Sequence, residues 1–254
     1  MTPTQHLVVI TGSSRGLGLA MAQQCLDQPN HQVIGIARHT SEALQRSRRG
    51  SGSQLEQWAL DLAQPLPATR RLHEMLAAFD PQHFASATLI NNAALVTPPG
   101  PLTLGEDALL SDALRVGLEA PLLLARAFIS ATARWPGARK LLNISSGLGR
   151  RAMAGTAAYC AVKAGLDHFS RALALDEALH VNGVRVVSLA PGVIDTDMQV
   201  QLRAADAAGF PDQAMFLQLK AGGKLDSPES AAAKVLAYLA RADFGANPVA
   251  DVRE

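Results

Sequence analysis

The chain has 254 residues and balances 23 Lys and Arg against 22 Asp and Glu, a net charge of +1. It therefore has no basic excess with which to hold nucleic acid or an anionic membrane surface. Its two cysteines, Cys25 and Cys160, lie in different predicted elements without metal-ligand spacing, which argues against a disulfide framework or a metal site and fits a reducing cytoplasm.

Taken in order, apolar strand-like runs alternate with helical patterns, as βαβ units do. The first strand, residues 7–11, ends in Thr11-Gly12 too soon to be a signal peptide. It leads into Gly12-Ser13-Ser14-Arg15-Gly16-Leu17-Gly18 and a helix over residues 19–26. Strand, glycine-rich turn and helix in this order present backbone N–H groups and a helix N-terminus to a pyrophosphate. Further strands are predicted over residues 32–37, 55–60, 88–91, 140–145, 185–189 and 249–252. Residues 47–53 form a polar Gly/Ser/Arg stretch expected to be mobile, and Thr97-Pro98-Pro99-Gly100-Pro101 a rigid loop. The most apolar stretch, residues 120–133, is short and contains Arg126, so no membrane span is expected. The pattern predicts one α/β domain over residues 1–254: a Rossmann-type, doubly wound parallel sheet of about seven strands with helices on both faces.

With residues 155–181 helical, Tyr159 and Lys163 stand at i and i+4 on one face, with Cβ atoms roughly 5–6 Å apart. A cation beside a phenol favours the phenolate and moves it toward useful acid–base behaviour. Such a pair alone more often marks a solvated face. Here it has company: Ser146 thirteen residues upstream in Asn143-Ile144-Ser145-Ser146, Asp61-Leu62, Asn91-Asn92-Ala93-Ala94, and Pro191-Gly192 followed by Thr196. With these motifs, and with glycines spaced G-x-x-x-G-x-G, the chain resembles the short-chain dehydrogenase/reductase family over essentially its whole length. Val193-Ile194-Asp195-Thr196-Asp197-Met198-Gln199, Gly223-Lys224-Leu225 and the ending Ala250-Asp251-Val252-Arg253-Glu254 look most like the sepiapterin reductase and bacterial benzil reductase branch.

The resemblance implies a carbonyl reductase acting on a ketone or dicarbonyl, benzil-like or the side-chain carbonyl of a pterin. Tyr159 would be the proton donor, Ser146 would bond the carbonyl oxygen, and Lys163 would bind ribose and support the phenolate. Gly12, Ser14, Arg15, Gly16, Leu17 and Gly18 would hold the pyrophosphate, Asp61 and Leu62 the adenine, and Asn91 and Ala93 a ribose. Ile194, Thr196 and Met198 would lie at the nicotinamide carboxamide, and Gly192 and Asp251 at the substrate. Asp61 as a helix cap and Ser145 as a structural residue are the plainer readings of those two. No acid ends the second strand, where Arg38 and His39 stand instead, and Arg15 is expected to add a second cation, so NADP(H) is favoured over NAD(H). Residues 197–226 are expected to be a helical substrate lid, or else ordinary packing. Apolar surplus on residues 109–133 and 155–181 predicts a homodimer or tetramer. A catalytically idle NADP(H)-binding regulator or redox sensor on the same fold is the alternative. The family commonly has an asparagine where this chain has Gly117. Pro121 has no N–H for the Gly117 carbonyl, so the helix should kink there, and the freed carbonyl could hold water, leaving Gly117→Asn nearly neutral.

Overall fold

The computed structural model describes residues 4–254. Its strands are β1 (Gln5–Thr11), β2 (His31–Ala37), β3 (Gln54–Ala59), β4 (Phe84–Asn91), β5 (Ala138–Ile144), β6 (Arg185–Ala190) and β7 (Val249–Asp251). They form one seven-stranded sheet in the order β3-β2-β1-β4-β5-β6-β7, every neighbouring pair parallel. The helices are α1 (Gly16–Asp27), α2 (Glu42–Gln45), α3 (Pro65–Ala78), α4 (Asp107–Leu114), α5 (Ala120–Ala131), α6 (Ala157–Ala178), α7 (Asp197–Ala204), α8 (Gln213–Ala221) and α9 (Pro228–Ala240).

Successive residues of a strand point to opposite faces, and here both faces are covered, which is why the strands read as continuous apolar runs. Leu7, Val9, Ile36, Leu89, Leu141 and Val186 pack beneath α3, α5 and α6. Val8, Ile10, Val33, Ile90, Leu142 and Val187 pack beneath α1 and α9. Each predicted strand is present. The largest difference is at β4, which starts at Phe84, because Phe84-Ala85-Ser86-Ala87 carries little strand signal of its own. The stretch 47–53, expected to be mobile, is tied down: the Gly50 N–H donates to Leu26 O at 2.7 Å and the Ser53 hydroxyl to Gln28 O at 2.5 Å.

The expected single lid segment is instead two short helices, α7 and α8. Pro211 disfavours helical backbone at Phe210 and separates them. Phe210, fully buried, and Phe216 pack on Met153 and Leu202 in a third apolar cluster. Strand order reverses beside β1, where the chain returns from β3 to place β4 on the other side. The crevice beyond the carboxyl ends of β1 and β4 is where such sheets bind ligands.

Candidate active site

The glycine loop is fixed to the end of β4. Thr11 Oγ1 accepts the N–H groups of Asn92 and Ala93, each at 2.9 Å, and Asn92 Nδ2 donates to Thr11 O at 3.0 Å. Gly16 has φ +53°, and a Cβ on Gly18 would stand 2.1 Å from Gly12 O, so side chains are excluded where the loop folds onto α1. The first turn of α1 has neither a side-chain cap nor an acidic residue. Its N–H groups are left for an anion, and the donor set fits a dinucleotide pyrophosphate. Ser14 is partly exposed on this loop, whereas Leu17 turns into the core.

At the rim, Arg38 and His39 lie exposed just past β2. Arg15 does not stand free beside Arg38 as expected: its guanidinium pairs with Asp197 of α7 at 2.5 Å. Asp61, exposed, accepts the Ala63 N–H at 3.0 Å in a turn leading to α3, and the Leu62 side chain is buried in the core. Asn91, expected at a ribose, is 2% exposed and donates to Asn143 Oδ1 at 2.9 Å. It ties β4 to β5, and partly exposed Ala93 is the residue left at the crevice. Ile194 bridges to Asp226, Thr196 precedes α7, and Met198 lies half-buried in its first turn. Gly192, at φ +86°, sits beside Val252.

Ser146 follows β5 in extended backbone, its hydroxyl accepting the Leu148 N–H at 3.2 Å. Across from it α6 carries Tyr159 and Lys163, with Lys163 Nζ 5.6 Å from the Tyr159 ring centroid. Lys163 is 3% exposed and donates to Ile144 O at 2.7 Å. Enclosure by neighbouring groups pushes the Tyr159 phenol up to about 12, with the Ser146 hydroxyl pulling the other way. The direction is opposite to the lowering toward phenolate that the i, i+4 spacing implied. Burial pushes Lys163 down to about 8, opposed by Asp167. Asp251, expected at the substrate, ends β7 nearly buried, with its oxygens bonded to Arg253 Nε and Nη2 at 2.7 and 2.6 Å.

The helix at Gly117 is not merely kinked. Between α4 and α5, Arg115–Glu119 form a π turn, in which the Ala120 N–H reaches Arg115 O. Gly117 faces Val162, the neighbour of Lys163, and a Cβ there would lie 2.4 Å from Val162 Cγ1. A side chain at this position collides with the helix that carries the pair, so the expected tolerance of Gly117→Asn is overturned. Composition and spacing gave little sign of Thr11, Asn92, Asp167 or Asp197, whose roles come from partners far away in sequence.

A parallel sheet reversing beside a glycine loop, with Ser, Tyr and Lys at the same end, defines a nucleotide-dependent oxidoreductase of the Rossmann type. The family model for short chain dehydrogenase matches residues 6–207, and the chain belongs to that family. It is 33% identical to a benzil reductase ((S)-benzoin forming) of Bacillus cereus, over 97% of this chain and 99% of that one. It is 32% identical to the sepiapterin reductase of Rattus norvegicus, over 93% and 92%. Among solved structures, the KRED1-Pglu enzyme superimposes with a TM-score of 0.79 at 28% identity, covering 97% of this chain and 100% of that one.

Proposed function

We propose that this chain is an NADPH-dependent carbonyl reductase acting on a ketone or vicinal dicarbonyl of the benzil type. The observation that carries this reading is the convergence of Ser146, Tyr159 and Lys163 on the end of the sheet that also bears the glycine loop. NADPH, when bound, supplies a hydride for the carbonyl carbon. Tyr159 gives its proton to the carbonyl oxygen as negative charge develops there, and the Ser146 hydroxyl donates to the same oxygen. Lys163, one turn away, stabilises the phenolate left behind and binds the nicotinamide ribose.

The uncapped α1 terminus and its glycines hold the pyrophosphate, and Ala93, Ile194, Thr196 and Met198 border the nicotinamide half. Arg38, exposed at the end of a strand that lacks an acid, reads the 2′-phosphate. A benzil-type substrate is favoured over a pterin because the Asp251 carboxylate is engaged by Arg253, and because a benzil reductase aligns over 97% of the chain. The residues 197–226 cover the substrate, two subunits pair through α4, α5 and α6, and the protein works in the cytoplasm.

NADPH oxidation with benzil tests the reading. Tyr159→Phe should lower kcat by ~10²–10⁴ with NADPH affinity retained. Undiminished turnover in that variant would refute Tyr159 as the donor. NADPH binding without oxidation across a panel of dicarbonyls and pterins would favour an idle nucleotide-binding protein.

A further inference from the structure

Asp167 lies one helical turn beyond Lys163 on α6 and is 1% exposed. Its Oδ1 accepts from two hydroxyls, Ser145 at 2.5 Å and Ser188 at 2.6 Å. Its Oδ2 has no hydrogen-bond partner and lies 3.4 Å from Arg150 Nε. A Cβ on Gly149 would approach Oδ2 to 2.7 Å, so the turn after β5 passes directly over the carboxylate. Arg150 in turn donates to Ala250 O at 2.6 Å and lies 4.0 Å from Asp251. One buried carboxylate therefore joins α6, the ends of β5 and β6, the turn after Ser146, and β7.

Two hydroxyl donors would be served as well by a neutral amide, and a buried charge is costly without a counterion. The neighbour in need of negative charge is Lys163, whose ammonium is buried and bonded only to a neutral carbonyl, Ile144 O. We propose that Asp167 is a positioning residue for the reaction: it is the buried countercharge that keeps Lys163 protonated, and through Ser145 it fixes the backbone that presents Ser146. Arg150 moderates that charge and links it to β7. The direction of the Lys163 shift agrees, since Asp167 opposes the fall that burial causes. The other groups around the pair are few. Tyr159 comes from the same helix, Arg150 from the turn after β5, Asp251 from β7 and Arg253 from just past it. β5 and β6 offer Ser145, Ser146 and Ser188, and the π turn offers buried Val116 and Gly117 while Arg115 and Glu119 stay exposed.

The role assigned to Lys163 rests on the reductase reading, so the test has one measurement that needs no turnover. The full-length protein, labelled at lysine Cε, is titrated by NMR, with the Lys163 signal assigned by Lys163→Met. The pH dependence of kcat/KM for benzil is recorded in parallel. Asp167→Asn keeps an acceptor for both serines and removes the charge, and should move the Lys163 titration and the alkaline limb down by about one pH unit. Arg150→Gln leaves Asp167 unneutralised and should move both up. Opposite shifts cannot come from general loosening, and the second variant stands in if the first does not fold. A Lys163 titration unmoved in Asp167→Asn, or shifts of the same sign in both variants, would overturn the proposal. A titration that moves as expected in a protein with no carbonyl turnover would instead overturn the reductase reading and leave the countercharge in place.

Discussion

Arg38 is exposed just past β2 without an ion pair among the described residues, and in the proposed reading it meets the 2′-phosphate of NADPH. A charge-assisted bond to a 2′-phosphate contributes ~1.5–3 kcal/mol, and an aspartate in its place repels that group. Arg38→Asp should raise the KM for NADPH by about 10–100-fold while that for NADH changes little; equal losses for both would remove Arg38 from cofactor selection. In the same reading Arg15 should contribute less to this discrimination, because its guanidinium pairs with Asp197. The pH dependence of reduction follows from Lys163. Burial lowers its folded pKa to about 8, so the ammonium, which in the proposed mechanism supports the phenolate, is present below that value and lost above it. Steady-state kcat/KM for benzil should fall as pH rises through about 8, and a flat profile from 7 to roughly 10 would contradict this assignment.

The element that most constrains the site is the α4–α5 junction. Pro121 cannot donate to the Gly117 carbonyl, and the chain answers with a π turn that brings Gly117 against Val162 of α6. Such turns are frequent at functional sites, because they re-aim one face of a helix without ending it. With a Cβ only 2.4 Å from Val162 Cγ1, Gly117→Asn must displace the segment of α6 that holds Lys163. We expect a loss of ~1–3 kcal/mol in stability from overpacking, and a fall in kcat of more than about tenfold. Thermal melts and kinetics on the same preparation check both; wild-type values in each would show that α6 yields without consequence. The break between α7 and α8 has an equally local cause in Pro211. The two helices are anchored by Phe210 and Phe216, which are engaged with each other and with Met153.

For the molecule as a whole, the question is what covers the outer faces of α4, α5 and α6. Of the apolar residues there, Leu124, Phe128 and Leu166 are buried in the core, but Leu114, Leu122 and Leu175 are 45%, 38% and 72% exposed. Leu114, Leu118 and Leu122 line one surface groove that water wets unless a second copy covers it. Light scattering at micromolar concentration should give a mass at least twice 26.7 kDa, and Leu114→Glu combined with Leu122→Glu should reduce it to that of one chain. A wild-type monomer would place the subunit contact elsewhere or nowhere. No helix among the described residues is long and apolar enough to cross a membrane.

Periodicity and punctuation were enough for the sheet and for the end of it that carries the site. Alternation of apolar runs with helical patterns is a local property, and so are the glycine loop and the i, i+4 spacing of Tyr159 and Lys163. What those side chains do to one another was not legible. Burial pushes the phenol up and Asn91 is committed to Asn143 because of what surrounds them, and for Asn91 that partner lies 52 residues away. Asp251 meets Arg253 only two residues on, yet it is β7, beside β6, that buries the carboxylate while Arg253 stays exposed. The sequence by itself therefore determined the alternation of strands and helices and the turn chemistry between them, since both are written in short stretches, while the order of strands in the sheet came from pairings between distant segments. Only the tertiary structure decided the charge states and partners of the side chains, because desolvation, and the choice of counterion, depend on everything packed within a few ångströms.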